Sequence, residues 1–314
     1  MTGEEHWALW RRDPRATPFQ SPGWLDAWQA HLGGGEQIDL TVREGGRLVA
    51  ALPMFVWHDG DARRLVPIGA GHSDYCDALV DPAAPDAVAR LWAEIDAIGD
   101  EWDEVLLPDL RPDSPLLGRV PETWIAIDEP GEVCPVLLLP AHGPLLPALS
   151  KSQRRKVVHD RHRATHAGGA AEAIVGSEGI AAALDALFAL HAARWSAAGQ
   201  GGVLADPRVQ AFHRTAAPAL AEAGLLRLAT VRFGGQIVAV LLGFGDERRG
   251  YSYINGVATD VPGQSFGSMA FATLIERAVA DGAAEFHFLR GEEPYKYQWG
   301  AQATRTVRRT IRRR

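Results

Sequence analysis

The sequence predicts an α/β (α+β) protein made of two tandem copies of one unit, each a mixed central sheet flanked by helices. Three observations carry this. Residues 41–56, TVREGGRLVAALPMFV, and 230–245, TVRFGGQIVAVLLGFG, share nine of sixteen positions at a fixed offset of 189. The same succession of elements follows each copy. The chain has 314 residues, more than one ordinary core organises, so two domains are expected.

Each repeated segment is a β-hairpin by its own chemistry. A β-branched run meets Gly45-Gly46 or Gly234-Gly235, a two-residue turn that tolerates positive φ, and a second apolar strand leaves it. A third strand follows over Arg64–Ile68 and Tyr251–Val257. Next comes a helix-period stretch, near 85–99 and 267–281, and then a strand over Glu104–Leu107 and Glu285–Leu289. Chance likeness of two hairpins explains the turn glycines but not the shared order that follows.

The material between the copies is different in kind. Val133–Leu139 reads as a short buried strand and 144–167 as a basic helix. Ser177–Ala198 reads as an amphipathic helix, with Ile180, Leu184, Leu187, Phe188 and His191 at helical spacing. A further helix is predicted over about 206–223, and the arginine-rich tail Arg305–Arg314 as a closing strand with a frayed basic end. Pro and Gly near 128–132 mark the boundary, giving domains of 1–130 and 131–314.

Composition narrows the class. Hydrophobic residues make up 46% and charged residues 23%, a globular balance, and the net charge of −7 excludes a uniformly basic nucleic-acid coat. No apolar run approaches the roughly 20 residues that cross a bilayer. The first twenty residues carry Glu4, Glu5, Arg11, Arg12 and Asp13 without an apolar signal core, so a cytoplasmic protein is expected. Cys76 and Cys134 make neither a disulfide framework nor a zinc cluster. Residues 1–149 hold 25 acidic and 10 basic side chains, whereas 150–314 hold 14 and 22. The split reads equally as a second half that meets an anionic ligand or as attraction between oppositely charged domains.

The second copy carries the chemistry. After the strand ending near Val257, a loop containing Gly263, Gln264, Ser265, Gly267 and Ser268 runs into a helix. Unpaired N–H groups and the positive dipole end converge at such a helix start, which suits a pyrophosphate. The same stretch spells G-x-S-x-G. A hydrolase nucleophile elbow needs the strand to run directly into the serine, and Ala258–Pro262 intervenes, so a serine hydrolase is discounted. Further on, Lys296 is one of only three lysines against 29 arginines. It is either a compact point charge that the site requires or a survivor on a solvated face. His159, His162 and His166 on the basic helix are hemmed by like charge, and no metal is expected there.

Taken in order, several pieces resemble the GNAT acyltransferase fold, and their duplication resembles the FemABX peptidyl transferases. The pattern is most similar to two-domain CelD-like GNAT proteins. The pieces are PFQSPGWLDAW (18–28), GAGHSDYCD (69–77), LSKSQRRKV (149–157), LHAARW (190–195), the second hairpin and GEEPYKYQWG (291–300). The GNAT pattern Q/R-x-x-G-x-G/A is met by Gln264 and Gly267, with Met269 where the last small residue stands. The resemblance implies transfer of an acyl group from acyl-CoA, acetyl-CoA first, to an amine of a small molecule or amino sugar. It implies cofactor contacts from Gly263, Gln264, Ser265, Gly267 and Ser268. It also places Lys296, with Tyr295, beside the reacting carbonyl.

An alkyl ammonium needs about 4.6 kcal/mol to lose its proton at pH 7, so a base is required. Asp74 and His72, and Glu292 or Glu293 after the final strand, are the candidates, with a turn-capping role as the other reading of Asp74. His72, Ser73, Tyr75, Arg194, Trp195 and Tyr253 are the substrate-binding candidates. His191 and Trp195 read also as an aromatic core stripe. Two alternatives stand beside the acyl-CoA reading: an aminoacyl-tRNA-dependent FemABX-like transferase, with tRNA as partner, and a catalytically silent binding protein in polysaccharide or cell-envelope assembly.

Overall fold

A computed structural model describes residues 1–166, 168–174, 178–197, 199, 201–259 and 265–314. It divides the chain into two compact units, Met1–Val133 with Arg305–Arg314, and Cys134–Thr304.

In the first unit, helices α1 (Gly3–Arg12) and α2 (Pro22–Leu32) precede a mixed sheet. Its strands are β1 (Gln37–Glu44), β2 (Arg47–Asp59), β3 (Ala62–Pro67), β4 (Leu79–Val80), β5 (Glu104–Leu110) and β6 (Trp124–Val133), joined by β13 (Arg305–Arg313) from the end of the chain. The order is β1-β2-β3-β5-β13-β6, with β4 pairing β2 at the side. Helix α3 (Ala87–Ala97) buries Leu91, Trp92 and Ile95 against Leu52 and Met54 of β2. Trp92 and Trp102 both meet Trp124 edge-on, the latter with ring centroids 5.6 Å apart.

The second unit holds, in chain order, β7 (Val136–Leu138), α4 (Leu145–Ala148), α5 (Lys151–His166), β8 (Ala170–Ile174), α6 (Ile180–Ala197) and α7 (Pro207–Glu222). There follow β9 (Leu226–Phe233), β10 (Gln236–Gly245), β11 (Arg249–Val257), α8 (Phe266–Ala280), β12 (Glu285–His287) and α9 (Pro294–Gln298). The sheet order is β7-β12-β11-β10-β9-β8. Phe266, Phe271, Leu274 and Ile275 of α8 pack on Ala229, Val231, Ala239 and Leu241 of the sheet.

The repeat is realised in both sheets. β1-β2-β3 and β9-β10-β11 are antiparallel meanders, and in each unit the strand after the helix then pairs parallel, β5 with β3 and β12 with β11. The paired glycines make the hairpins possible: Gly45 and Gly46 sit at φ 55° and 83°, Gly234 and Gly235 at 58° and 81°. Two consecutive positive φ values match the right-handed twist of the strands they join.

The expected boundary at 128–132 and the expected 131–314 domain are corrected by this division. Residues 124–133 are not a linker but β6, an edge strand, where Pro130 costs no ladder bond that a central strand would lose. The basic tail does not fray. As β13 it lies between β5 and β6, and buried Arg309 donates to Asp128 and to the carbonyls of Leu116, Leu117 and Gly118. The first unit therefore holds 25 acidic and 16 basic side chains and the second 14 and 16, so the charge split read from sequence is about halved, and the first unit stays acidic. The basic helix expected over 144–167 is broken at Leu149, whose extended backbone ends α4. Ser150 then accepts from the Gln153 N–H to cap α5.

Candidate functional site

A cavity of about 290 Å³ lies in the second unit where β11 ends and α8 begins. Its wall at α8 is Ser265, Gly267 and Ser268. Ser265 is the N-cap, and its side chain caps no backbone N–H; its carbonyl takes the Met269 N–H, and Arg163 donates to its hydroxyl at 3.4 Å. The amides of the first turn precede the helix ladder and point out of it, which is the geometry that holds anions. Phe266 and Met269 anchor that turn from beneath, both buried in the core. Met269, the residue that departs from the GNAT pattern, thus faces away from the cavity wall.

The remaining walls come from three other elements. β11 contributes Asn255 and Val257, separated by Gly256. A Cβ on Gly256 would stand 2.9 Å from the Leu187 carbonyl oxygen and 2.9 Å from the Leu190 Cβ, so the glycine is what lets α6 close on the strand. That approach brings Arg194 of α6 to the cavity, opposite Lys156 of α5, with Gln153 buried beside it. Tyr295 and Gln298 of α9 and the following Trp299 complete the lining with Phe271. Among the described residues the lining thus carries two cations and no carboxylate, beside an apolar wall of Val257, Phe271 and Trp299. Such a site fits a ligand that is anionic at one end and apolar along an arm.

Tyr295 packs on Phe271 with ring centroids 5.1 Å apart. Burial pushes its phenol well above the ordinary range; the Glu293 charge adds to the shift and Arg194 opposes it. The group therefore holds its proton across neutral pH and serves as a hydrogen-bond donor.

Lys296 does not face the cavity. Its ammonium donates to the carbonyls of Leu289 (3.1 Å), Arg290 (2.6 Å) and Gly291 (3.1 Å) and pairs with Glu293 at 3.0 Å. The side chain is buried, with all its donors committed to the loop between β12 and α9. The geometry makes it a positioning residue for α9, next to Tyr295, in place of the expected partner of the reacting carbonyl.

Of the other residues singled out in the sequence, Ser265, Gly267, Ser268, Arg194 and Tyr295 meet at the one cavity. Gly263 and Gln264 lie outside the described residues. Glu292 is exposed on the loop before α9 and does not line the cavity. Trp195 packs against His191, ring centroids 5.8 Å apart, beneath Gly202, as an aromatic stripe does. Tyr253 stands between the rings of His213 and Phe244.

The GHSDY segment belongs to the first unit. There the Trp24 indole donates to Ser73 Oγ at 2.9 Å and the Trp28 indole to His72 Nδ1 at 3.2 Å. Tyr75 is buried edge-on to Phe19, and Asp74 is buried at 7% exposure. Sequence reasoning did not assign Gln153, Lys156, Asn255, Phe271, Gln298 and Trp299 to the site. The signal for Lys156 was present, since it is another of the three lysines, and Gln298 and Trp299 close the same 291–300 segment. Among the described residues no three His, Cys, Asp or Glu side chains converge as metal ligands, and no helix is long and apolar enough to cross a membrane.

Residues 151–297 match the family profile described as the acetyltransferase (GNAT) domain, a stretch that contains every lining residue of the cavity up to Tyr295. The second unit carries a GNAT acetyltransferase domain. Solved structures resemble the whole chain. FemX is similar with a TM-score of 0.70 at 11% identity, over 98% of this chain and 96% of that one. A conserved protein of unknown function from Bacteroides thetaiotaomicron VPI-5482 gives 0.66 at 15% identity, over 100% and 98%. The C-terminal domain of a putative lysylphosphatidylglycerol synthetase from Agrobacterium fabrum gives 0.60 at 12% identity, over 98% and 90%. At these identities the likeness is one of fold. No curated protein matches the sequence. The GNAT domain thus sits on a two-unit chain whose fold is shared with FemX.

Proposed function

We propose that this protein is an N-acyltransferase that moves an acyl group from acyl-CoA, acetyl-CoA first, to an amine of a small molecule or amino sugar. The observation that carries the reading is the cavity at the start of α8, which among the described residues has two cations, no carboxylate and one apolar wall. Ser265, Gly267 and Ser268 would take the pyrophosphate, with Gly263 and Gln264 before them, and Lys156 and Arg194 its charge. The pantetheine arm would follow Val257 and Phe271. In the reaction the amine nitrogen bonds to the thioester carbon, the C–S bond breaks, and Tyr295 gives its proton to the departing sulfur. The amine's own proton passes to a carboxylate or to water, and Glu292, on the loop before α9, is the carboxylate we assign for testing.

Thermal unfolding with acetyl-CoA and longer acyl-CoAs tests the reading. A carrier at 100 times its dissociation constant stabilises by about 2.7 kcal/mol. A shift with acyl-CoA and release of free thiol on adding amines support it, and no shift with any acyl-CoA overturns it. Transfer from an aminoacyl-tRNA is a second reading, favoured by the cations of α5. A shift with tRNA alone would replace the first reading by this one, and no shift with either carrier leaves a silent binding protein.

A further inference from the structure

Helix α5 concentrates charge that the fold does not use. It carries six of the second unit's sixteen cations on sixteen residues. Lys151, Arg155 and His159 recur every four residues, with Ser152 and Lys156 beside them, and together they line one open groove of about 760 Å³. Arg161 is neutralised by Glu276, and Lys156 and Arg163 share Asp160. Lys151, Arg154 and Arg155 form no ion pair with any of the described residues. They also occupy the first turns of the helix, where the dipole is positive and no acidic residue offsets it. Like charges gathered there raise the local potential, and an anion is what lowers it.

The groove continues into the cavity at α8. Lys156 lines both, and Gln153, 5% exposed, lines the cavity one turn from it. We propose that Lys151, Arg155 and Lys156 bind the ribose 3′-phosphate of the CoA adenosine, as a second anion subsite one ribose away from the pyrophosphate. This rests on the acyl-CoA reading above. The extent of the patch argues for a single phosphate group over a polymer backbone. Lys151 to His159 spans about 12 Å of helix, and outside α5 the unit holds ten cations against thirteen acidic residues, so its excess of positive charge is confined to that helix.

Coenzyme A and 3′-dephospho-CoA differ only in that phosphate, and calorimetric titration of both into the full chain isolates it. The wild type is expected to bind CoA about tenfold or more tighter than dephospho-CoA. In the exposed double variant Lys151→Gln, Arg155→Gln the two ligands are expected to bind alike, with dephospho-CoA affinity unchanged from wild type, which also shows that the variant is folded. Equal affinities in the wild type overturn the inference while leaving the acyl-CoA reading intact. So does a variant that weakens both ligands equally, or one that loses affinity for a tRNA while keeping its preference for CoA. Failure of both ligands to bind the wild type overturns the reading itself.

Discussion

Lys296 Nζ lies 3.1 Å from the carbonyl oxygen of Leu289, a buried leucine held at a φ of 57°. A branched side chain in that region costs on the order of 1–3 kcal/mol. The distortion turns three successive carbonyls, those of 289–291, toward one point, and the ammonium fills it. Strain in the loop and a buried charge thus offset one another, and α9 with Tyr295 is fixed by the result.

Lys296→Met should therefore act through the fold. Three carbonyls lose a charged donor, and we expect a loss of about 3 kcal/mol or more in urea-induced unfolding. Lys296→Arg should rescue little, because a planar fork cannot meet three converging acceptors. A variant with Met at 296 that unfolds at wild-type urea concentration would show that the loop does not depend on the ammonium.

Gly256→Ala tests how Arg194 reaches the cavity. Its new methyl would stand 2.9 Å from the Leu187 carbonyl oxygen, so α6 must retreat from β11. Overpacking of this kind typically costs about 1–3 kcal/mol. Acetyl-CoA affinity should fall along with stability as Arg194 withdraws. Wild-type affinity in a measurably destabilised Gly256→Ala protein would separate Arg194 from carrier binding.

The paired glycines at 45–46 and 234–235 made the duplication legible, because a turn needing two positive φ values leaves a mark in composition. The cavity wall at 265–268 was less legible, because many polar, glycine-containing loops do no more than cap a helix. Lys296 was conspicuous in sequence, but its role was not readable. Whether a rare lysine faces a ligand or its own loop depends on Leu289 adopting a backbone region that no propensity favours for leucine. The tail reads as a strand and is one, but its place in the first sheet was not legible because pairing partners are non-local: nothing near Arg305–Arg314 says that β5 and β6, about 200 residues earlier, leave a gap for it.

His6 and Asp77 line one small cavity in the first unit and titrate in opposite senses. Burial lowers His6 from 6.5 to about 4, against the hydrogen bond to the Gln20 carbonyl. The unfolded chain then takes up the proton first, so this contribution is complete above pH 6.5 and is lost as pH falls toward 4. Burial raises Asp77 from 3.8 to about 7, outweighing its bonds from Ser114 and the Ala78 N–H. Its folded carboxyl keeps a proton that the unfolded chain gives up, so this contribution is complete below pH 3.8 and is lost as pH rises toward 7. The stability of wild type minus His6→Gln should rise by about 3 kcal/mol from pH 4 to 6.5. That of wild type minus Asp77→Asn should fall by about 4 kcal/mol from pH 4 to 7. Difference curves from denaturant titrations across that range check both slopes, and two slopes of the same sign would refute the assignment.

Tyr295→Phe separates chemistry from packing. The ring keeps its contact with Phe271, so the cavity wall and acetyl-CoA affinity should stay near wild type. Only the proton is removed, and the loss of a positioned general acid is expected to lower kcat by about 100-fold with little change in KM for the carrier. The measurement is thiol release from acetyl-CoA in the presence of primary amines, with carrier affinity read separately by calorimetry. Because burial keeps the phenol protonated well above the ordinary tyrosine range, the wild-type rate should not fall on the alkaline side near pH 10 on account of this group. Unchanged turnover in Tyr295→Phe would remove the phenol from the reaction and leave the departing sulfur to be protonated by water.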